Sequence, residues 1–177
     1  MRTGLYRTDT GALELVVDSF DAAVEDMTDR ATIEVPEGWP VDLAWDADAR
    51  AFGPNLTGWR AARRAEAEAY RDSRVNGGCL TASGPVDSDP VSRGLITGSV
   101  SMATIAKGAG QPFATVWRMQ NNSYVTLDAD AMIAMGVAVG AHVAACYEAS
   151  FAVKDLIDAA TDKTAIEAVD ITAGYPS

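Results

Sequence analysis

Between Asp130 and Glu148 the chain runs for 17 residues, Ala131 to Tyr147, without a charged side chain. That is near the lower limit for crossing a bilayer, and Asp128, Asp130 and Glu148 bracket it in place of apolar flanks. A buried helix is expected, and no membrane partner. Two stripes alternate on it at steps of three and four: Ile133, Val137, Gly140, Ala144, Tyr147, Phe151, and on the opposite side Met132, Met135, Val139, His142, Cys146. One small domain can cover one stripe; covering both calls for a second chain. Gly136, Gly140 and Ala144 form a small-residue ridge, able to approach either another chain or a helix over residues 90–106 that has its own Gly94 and Gly98.

The rest of the chain divides around this helix. The net charge of −11 is unevenly spread: residues 1–55 carry −8, 56–74 carry +2, 75–118 carry +1 and 119–177 carry −6. Such a mosaic suits docking between subunits, although a solvated acidic surface gives the same pattern. The acid excess argues against nucleic acid, whose affinity comes largely from cationic neutralisation of phosphates. Residues 1–12 hold no apolar core region, so no secretory leader is expected.

Residues 1–55 read as a β-rich head. Leu5–Arg7 and Ala12–Val17 flank an Asp9-Thr10-Gly11 turn, with Leu13, Leu15 and Val17 on one face. A short helix over Phe20–Met27, capped by Ser19 or Asp21, precedes a strand at Ala31–Val35 that Pro36-Glu37-Gly38 closes. Val41–Trp45 and Ala49–Phe52 form a second hairpin about Asp46–Asp48. Residues 56–75 read as an Arg- and Ala-rich connecting helix with Thr57 as its cap. Arg64–Glu68 and Glu68–Arg71 supply helical pairs. The apolar stripe is thin, so the helix reads either as a connecting stalk or as one whose Trp59/Tyr70 edge, beside Arg60 and Arg63, packs on a symmetry mate.

Asn76-Gly77-Gly78 opens an α+β domain over 76–177. It starts with a short strand, Cys79–Ala82. Asp87-Ser88-Asp89-Pro90 begins a helix to about Ala106. A hairpin of Phe113–Met119 and Tyr124–Leu127 follows, then a long Ala-rich helix from about Ala129 to Ala160 with Asp128 as its cap. Thr161 or Asp162 caps a short helix over Lys163–Val169, and the chain then runs extended to Pro176. The fold class is therefore α+β: a β-rich N-terminal head, a connecting helix, and a domain built on a β-hairpin and a long helix.

Few side chains suit catalysis. His142 is the single histidine, and beside Cys146 it could form a nucleophilic pair. An apolar helix in an acidic block would push the thiol pKa up, so a core histidine is the expectation. Asp87 and Asp89, at i and i+2 before a proline, read as capping residues rather than a calcium loop. No cofactor, metal or catalytic residue is nominated. The candidate functional residues are interface residues: Trp59, Arg60, Arg63, Tyr70, Gly136, Gly140 and Ala144.

Residues 76–176 resemble a domain of unknown function found at the C-terminal end of tailed-phage proteins near tail-fibre genes. The resemblance lies in Asn76-Gly77-Gly78, Val86-Asp87-Ser88-Asp89, and Val116-Trp117-Arg118 leading to Val125-Thr126-Leu127. It continues through Ala141-His142-Val143, Cys146-Tyr147, Ile157-Asp158-Ala159-Ala160, Val169-Asp170-Ile171 and Gly174-Tyr175-Pro176. It implies a non-enzymatic virion structural protein at a phage tail tip or fibre, made in the host cytoplasm, homo-oligomeric, and partnered with other tail or fibre proteins. A fibre-assembly chaperone is the alternative. A third reading, hydrolysis of host polysaccharide, would need a carboxylate pair at fixed separation, which the scattered acids do not nominate.

Overall fold

The computed structural model describes residues 2–9, 11–17, 27–35, 43–46 and 51–176. The chain is α+β, with small antiparallel sheets and helices of up to 31 residues. It divides into two compact units, one of Met1–Arg63 with Ala160–Ala168, the other of Arg64–Ala159 with Val169–Ser177.

In the first unit β1 (Arg2–Arg7) is the centre of a three-stranded sheet, flanked by β2 (Leu13–Val17) and β3 (Arg30–Val35). The expected first hairpin is present. Its turn rests on Gly11, at φ +71°, where an added Cβ would lie 2.3 Å from the Trp45 ring. Backbone conformation and close approach therefore both demand glycine there. The second hairpin pairs β4 (Leu43–Asp46) with β5 (Ala51–Pro54). Tyr6, Trp45 and Phe52 meet edge to face, with centroids 4.9–5.4 Å apart, and join hairpin to sheet. The helix expected over Phe20–Met27 and the Pro36–Gly38 turn lie outside the described residues, except for Met27, which is not helical.

Helix α1 (Leu56–Asn76) starts one residue after its cap. That cap is Asn55, not Thr57: the Asn55 side-chain oxygen accepts from the Gly58 N–H at 2.9 Å and its carbonyl from the Trp59 N–H. Nearby, Arg60 donates to the Ala160 carbonyl at 2.8 Å, and Lys163 lies 5.6 Å from the Trp59 ring centroid. Asp162 caps α4 (Lys163–Ala168) through the Ala165 N–H.

In the second unit β6 (Cys79–Thr81) pairs with β7 (Gly84–Val86), a strand not foreseen. Helix α2 (Pro90–Gly108) has Asp89 as N-cap, accepting from the N–H groups of Val91 and Ser92, and proline at its start. Strands β8 (Ala114–Arg118) and β9 (Tyr124–Asp128) form the expected hairpin. Asp128 caps α3 (Ala129–Ala159) through the Ala131 N–H at 2.9 Å. The core lies where α2, α3 and the hairpins meet, built from Val86, Ile96, Met119, Leu127, Met132 and Met135 with their neighbours. Residues 170–174 fold as a turn, contrary to the extended end expected: Asp170 accepts from Thr172, and Gly174 takes φ +79°.

Candidate functional site

Of the two stripes on α3, the one holding Met132, Met135, Val139, His142 and Cys146 is buried, and Ala149, Ser150, Val153 and Ile157 extend it. The other faces outward from Val137 onward, while Ile133 packs against the core. Val137 is 68% exposed and Phe151 56%, with Tyr147, Gly140 and Ala144 also open. By length and mean hydropathy (1.6) α3 alone would suffice to cross a membrane, yet its bulky face is packed within the unit.

The small-residue ridge divides in the same way. A Cβ on Gly136 would come within 2.6 Å of Val100 Cγ2, so Gly136 allows α2 and α3 to approach within the chain. Around Gly140, Gly94 and Gly98 there is open space. A groove of about 430 Å³ runs between α2 and α3 beside Gly136 and Gly140, walled by Thr97, Val100 and Ser101 on one side and by Ile133 and Val137 on the other.

Helix α2 also carries an outward apolar line, Val91, Leu95, Met102 and Ile105, each more than 60% exposed and spaced with Gly98 at alternating steps of four and three. Its only charged residues are Arg93 and Lys107. The outer face of β8–β9 adds Val116 and Tyr124, 66% and 69% exposed.

Tyr70 is covered from within the chain, by Tyr175 at 5.0 Å between centroids, edge to face. Arg71 pairs with Asp72 on its own helix, at 2.7 Å, while Glu68 and Arg64 of α1 pair with α3. Glu68 accepts from Lys154 at 2.5 Å, Arg64 pairs with Asp158, and Arg71 lies over the Tyr147 ring at 4.9 Å. The Lys154 hydrogen bond and charge hold Glu68 below its usual range. Arg60 and Arg63 are half-buried.

The densest polar arrangement surrounds the C-terminal end of α1, where a helix leaves carbonyls unsatisfied. Ser88, fully buried, donates its hydroxyl to the Val75 carbonyl at 2.6 Å and accepts from the Gly78 N–H at 2.9 Å. Arg93 reaches Asn76 at 3.1 Å and the Ser88 carbonyl at 2.7 Å. Gln120 donates to the Gly77 carbonyl at 2.9 Å, and Arg74 to that of Pro176. His142 Nε2 lies 3.0 Å from the Arg74 carbonyl. Arginines here also suit the negative end of the helix dipole.

This contact decides the His142–Cys146 question. The Arg74 carbonyl can only accept, so Nε2 carries the proton and donates it there. The same nitrogen is 3.7 Å from Cys146 Sγ and has no lone pair left to deprotonate it. Burial pushes both the Cys146 and Cys79 thiols up. His142 is a core histidine, as expected. Asp87, read as a cap, makes no described hydrogen bond; Asp89 alone does that work. Among the described residues no cluster of three or more His, Cys, Asp or Glu is placed to hold a metal.

The geometry is that of an α+β unit with a polar clasp at one helix end and apolar helix faces turned outward. Residues 59–173 match the family model described as a domain of unknown function, DUF4376, and the chain belongs to that family. The match starts inside α1, ahead of the Asn76-Gly77-Gly78 boundary read from the sequence. No curated protein matches the chain, and no solved structure does.

Proposed function

We propose that this protein is a non-enzymatic structural component of a tailed-phage tail, at the tip or fibre, assembling through its helix faces. The observation that carries the assembly role is the pair of uncovered apolar lines on α2 and α3. Contiguous apolar surface of this kind marks interaction sites on soluble proteins. The α2 line, with a 3.5-residue repeat and no charge of its own, suits helix-in-groove or coiled-coil contact with a tail protein. The phage setting rests on the sequence resemblance over residues 76–176.

The test is quantitative mass spectrometry of purified virions together with co-purification of tail proteins. Fixed copy number in the mature particle is the expected result. Binding to fibre protein with absence from the particle would make it an assembly chaperone instead. Absence from particles and from tail-protein complexes would end both readings.

A further inference from the structure

We infer that the groove between α2 and α3 is a binding site for a small apolar carboxylic acid, with its hydrocarbon body between the helices and its carboxylate on Arg93. The inference goes beyond the assembly reading and does not rest on it.

The two helices set the direction of the groove. Lys107 pairs with Asp130, and an added Cβ on Gly136 would meet Val100, so α2 and α3 run antiparallel. Arg93 therefore stands at the end of the groove that Val143 lines, with Ser101 and Ile133 at the other. Arg93 and Ser101 are eight positions apart, about 12 Å along the helix. Buried Ile96 and Val139 form the floor. At about 430 Å³ the cavity has the size of a small-molecule site, and such sites are mostly apolar with a few placed polar groups.

The polar groups of the lining suit a carboxylate at one end and hydrocarbon along the rest. Arg93 is the one charged side chain there, half-buried, in a chain of net charge −11. Its described hydrogen bonds all leave from Nη1, to the carbonyls of Val75 and Ser88 and to the Asn76 side chain. These acceptors are neutral, and among the described residues no carboxylate pairs with the guanidinium. Contacts gathered on one nitrogen hold the planar group still. Nε–H and Nη2–H, which together match the two oxygens of a carboxylate, make no described hydrogen bond. A ligand acid meets a cation already oriented and not yet neutralised.

A peptide fits the groove less well. The other polar side chains of the lining are Thr97 and Ser101. Both spend their hydroxyl hydrogens on carbonyls of their own helix, those of Arg93 and Thr97, at 2.8 and 2.9 Å. Both walls are helices, whose backbone groups bond internally. A peptide laid between them would find no donor for its carbonyls beyond Arg93. A hydrocarbon chain needs none, and it covers Val100 and Val137.

The test titrates the full chain with octanoate and with 1-octanol, equal in length and different in charge, and follows methyl groups by NMR. Octanoate should shift Val100, Val137 and Val143, and 1-octanol should bind at the same place roughly 10- to 100-fold more weakly. Gly140 lines the groove, and a Cβ there meets nothing. Gly140→Leu should therefore fill the groove, fold normally and take neither ligand. Arg93→Gln should bind acid and alcohol alike. If that variant unfolds, because Arg93 also braces the end of α1, the unmodified chain and Gly140→Leu decide the matter. Equal affinity of the unmodified chain for acid and alcohol, no shift at these methyls, or undiminished binding by Gly140→Leu would each overturn the inference. So would the same shifts on raising protein concentration without ligand, which would put a second copy in the groove, or an equal response to an apolar peptide amide. Virion content is measured separately, so failure here leaves the proposed function standing, and absence from virions leaves this site standing.

Discussion

Ser88 and Val75 are joined by a 2.6 Å hydrogen bond from a fully buried hydroxyl to a carbonyl in the last turn of α1. The same oxygen accepts from Gly78, so one side chain satisfies two backbone groups on either side of the glycine break. Ser88→Ala removes both bonds from a fully buried position. We expect a loss of about 2–3 kcal/mol, read as an earlier urea midpoint with unchanged slope. A change under half that size would show that the clasp is dispensable.

Two glycines on one helix should respond with opposite sign. Gly136 faces Val100 at 2.6 Å from an added Cβ, while Gly140 meets nothing. Gly136→Leu should cost about 1–3 kcal/mol through overpacking. Gly140→Ala should leave the monomer more stable by about 0.5–1 kcal/mol, since alanine loses less backbone entropy in a helix. Thermal melts of the two variants decide it.

The free thiols Cys79 and Cys146 are buried, and their pKa values are raised chiefly by that burial. Neither should react with an alkylating reagent at neutral pH in the folded protein, and both should react once denaturant is added. Rapid native labelling of Cys146 would contradict the bonding assigned to His142.

Asp89 carries the acid dependence of α2. The Ser92 hydroxyl, then the Ser92 backbone N–H, hold its carboxyl below the ordinary value. A group depressed in the folded state stabilises above its unfolded pKa, and the benefit disappears as pH falls through the folded one. Stability of the native protein should therefore decline below pH 3.8. Asp89→Asn, which still caps but does not ionise, should show a shallower decline between about pH 4 and 2. Parallel acid slopes in the two proteins would count against it.

Much of the fold is readable from local signals. The Asp89-Pro90 start, the Asp128 cap and the hairpin about residues 120–123 are patterns of near neighbours, and each stands where expected. What was not legible depends on distant residues or poor propensity. Strand β7 is Gly84-Pro85-Val86, two poor strand formers that pair because the Thr81 hydroxyl bonds the Gly84 carbonyl and the turn folds them onto β6. Arg64 and Glu68, foreseen as a pair along α1, instead reach Asp158 and Lys154 on α3, because charged groups on a neighbouring helix lie as close as those one turn away. The two stripes of α3 were visible, but which of them faced the core was not. Ser88 gave no warning of its role, since a serine before a helix ordinarily reads as a cap.

The polar clasp at the end of α1 also bears on how the chain folds. Its partners lie at growing distances along the sequence: Ser88 is 13 residues from Val75, Gln120 is 43 from Gly77, His142 is 68 from Arg74, and Pro176 is 102 from Arg74. Closing a longer loop costs only slightly more entropy, by a logarithm of its length. The nearest link can form while the rest of the chain is still searching, and each later one adds to an end already held. Amide exchange should then record an order of arrival, with the Gly78 N–H protected early in refolding and the closing turn at residues 170–174 last.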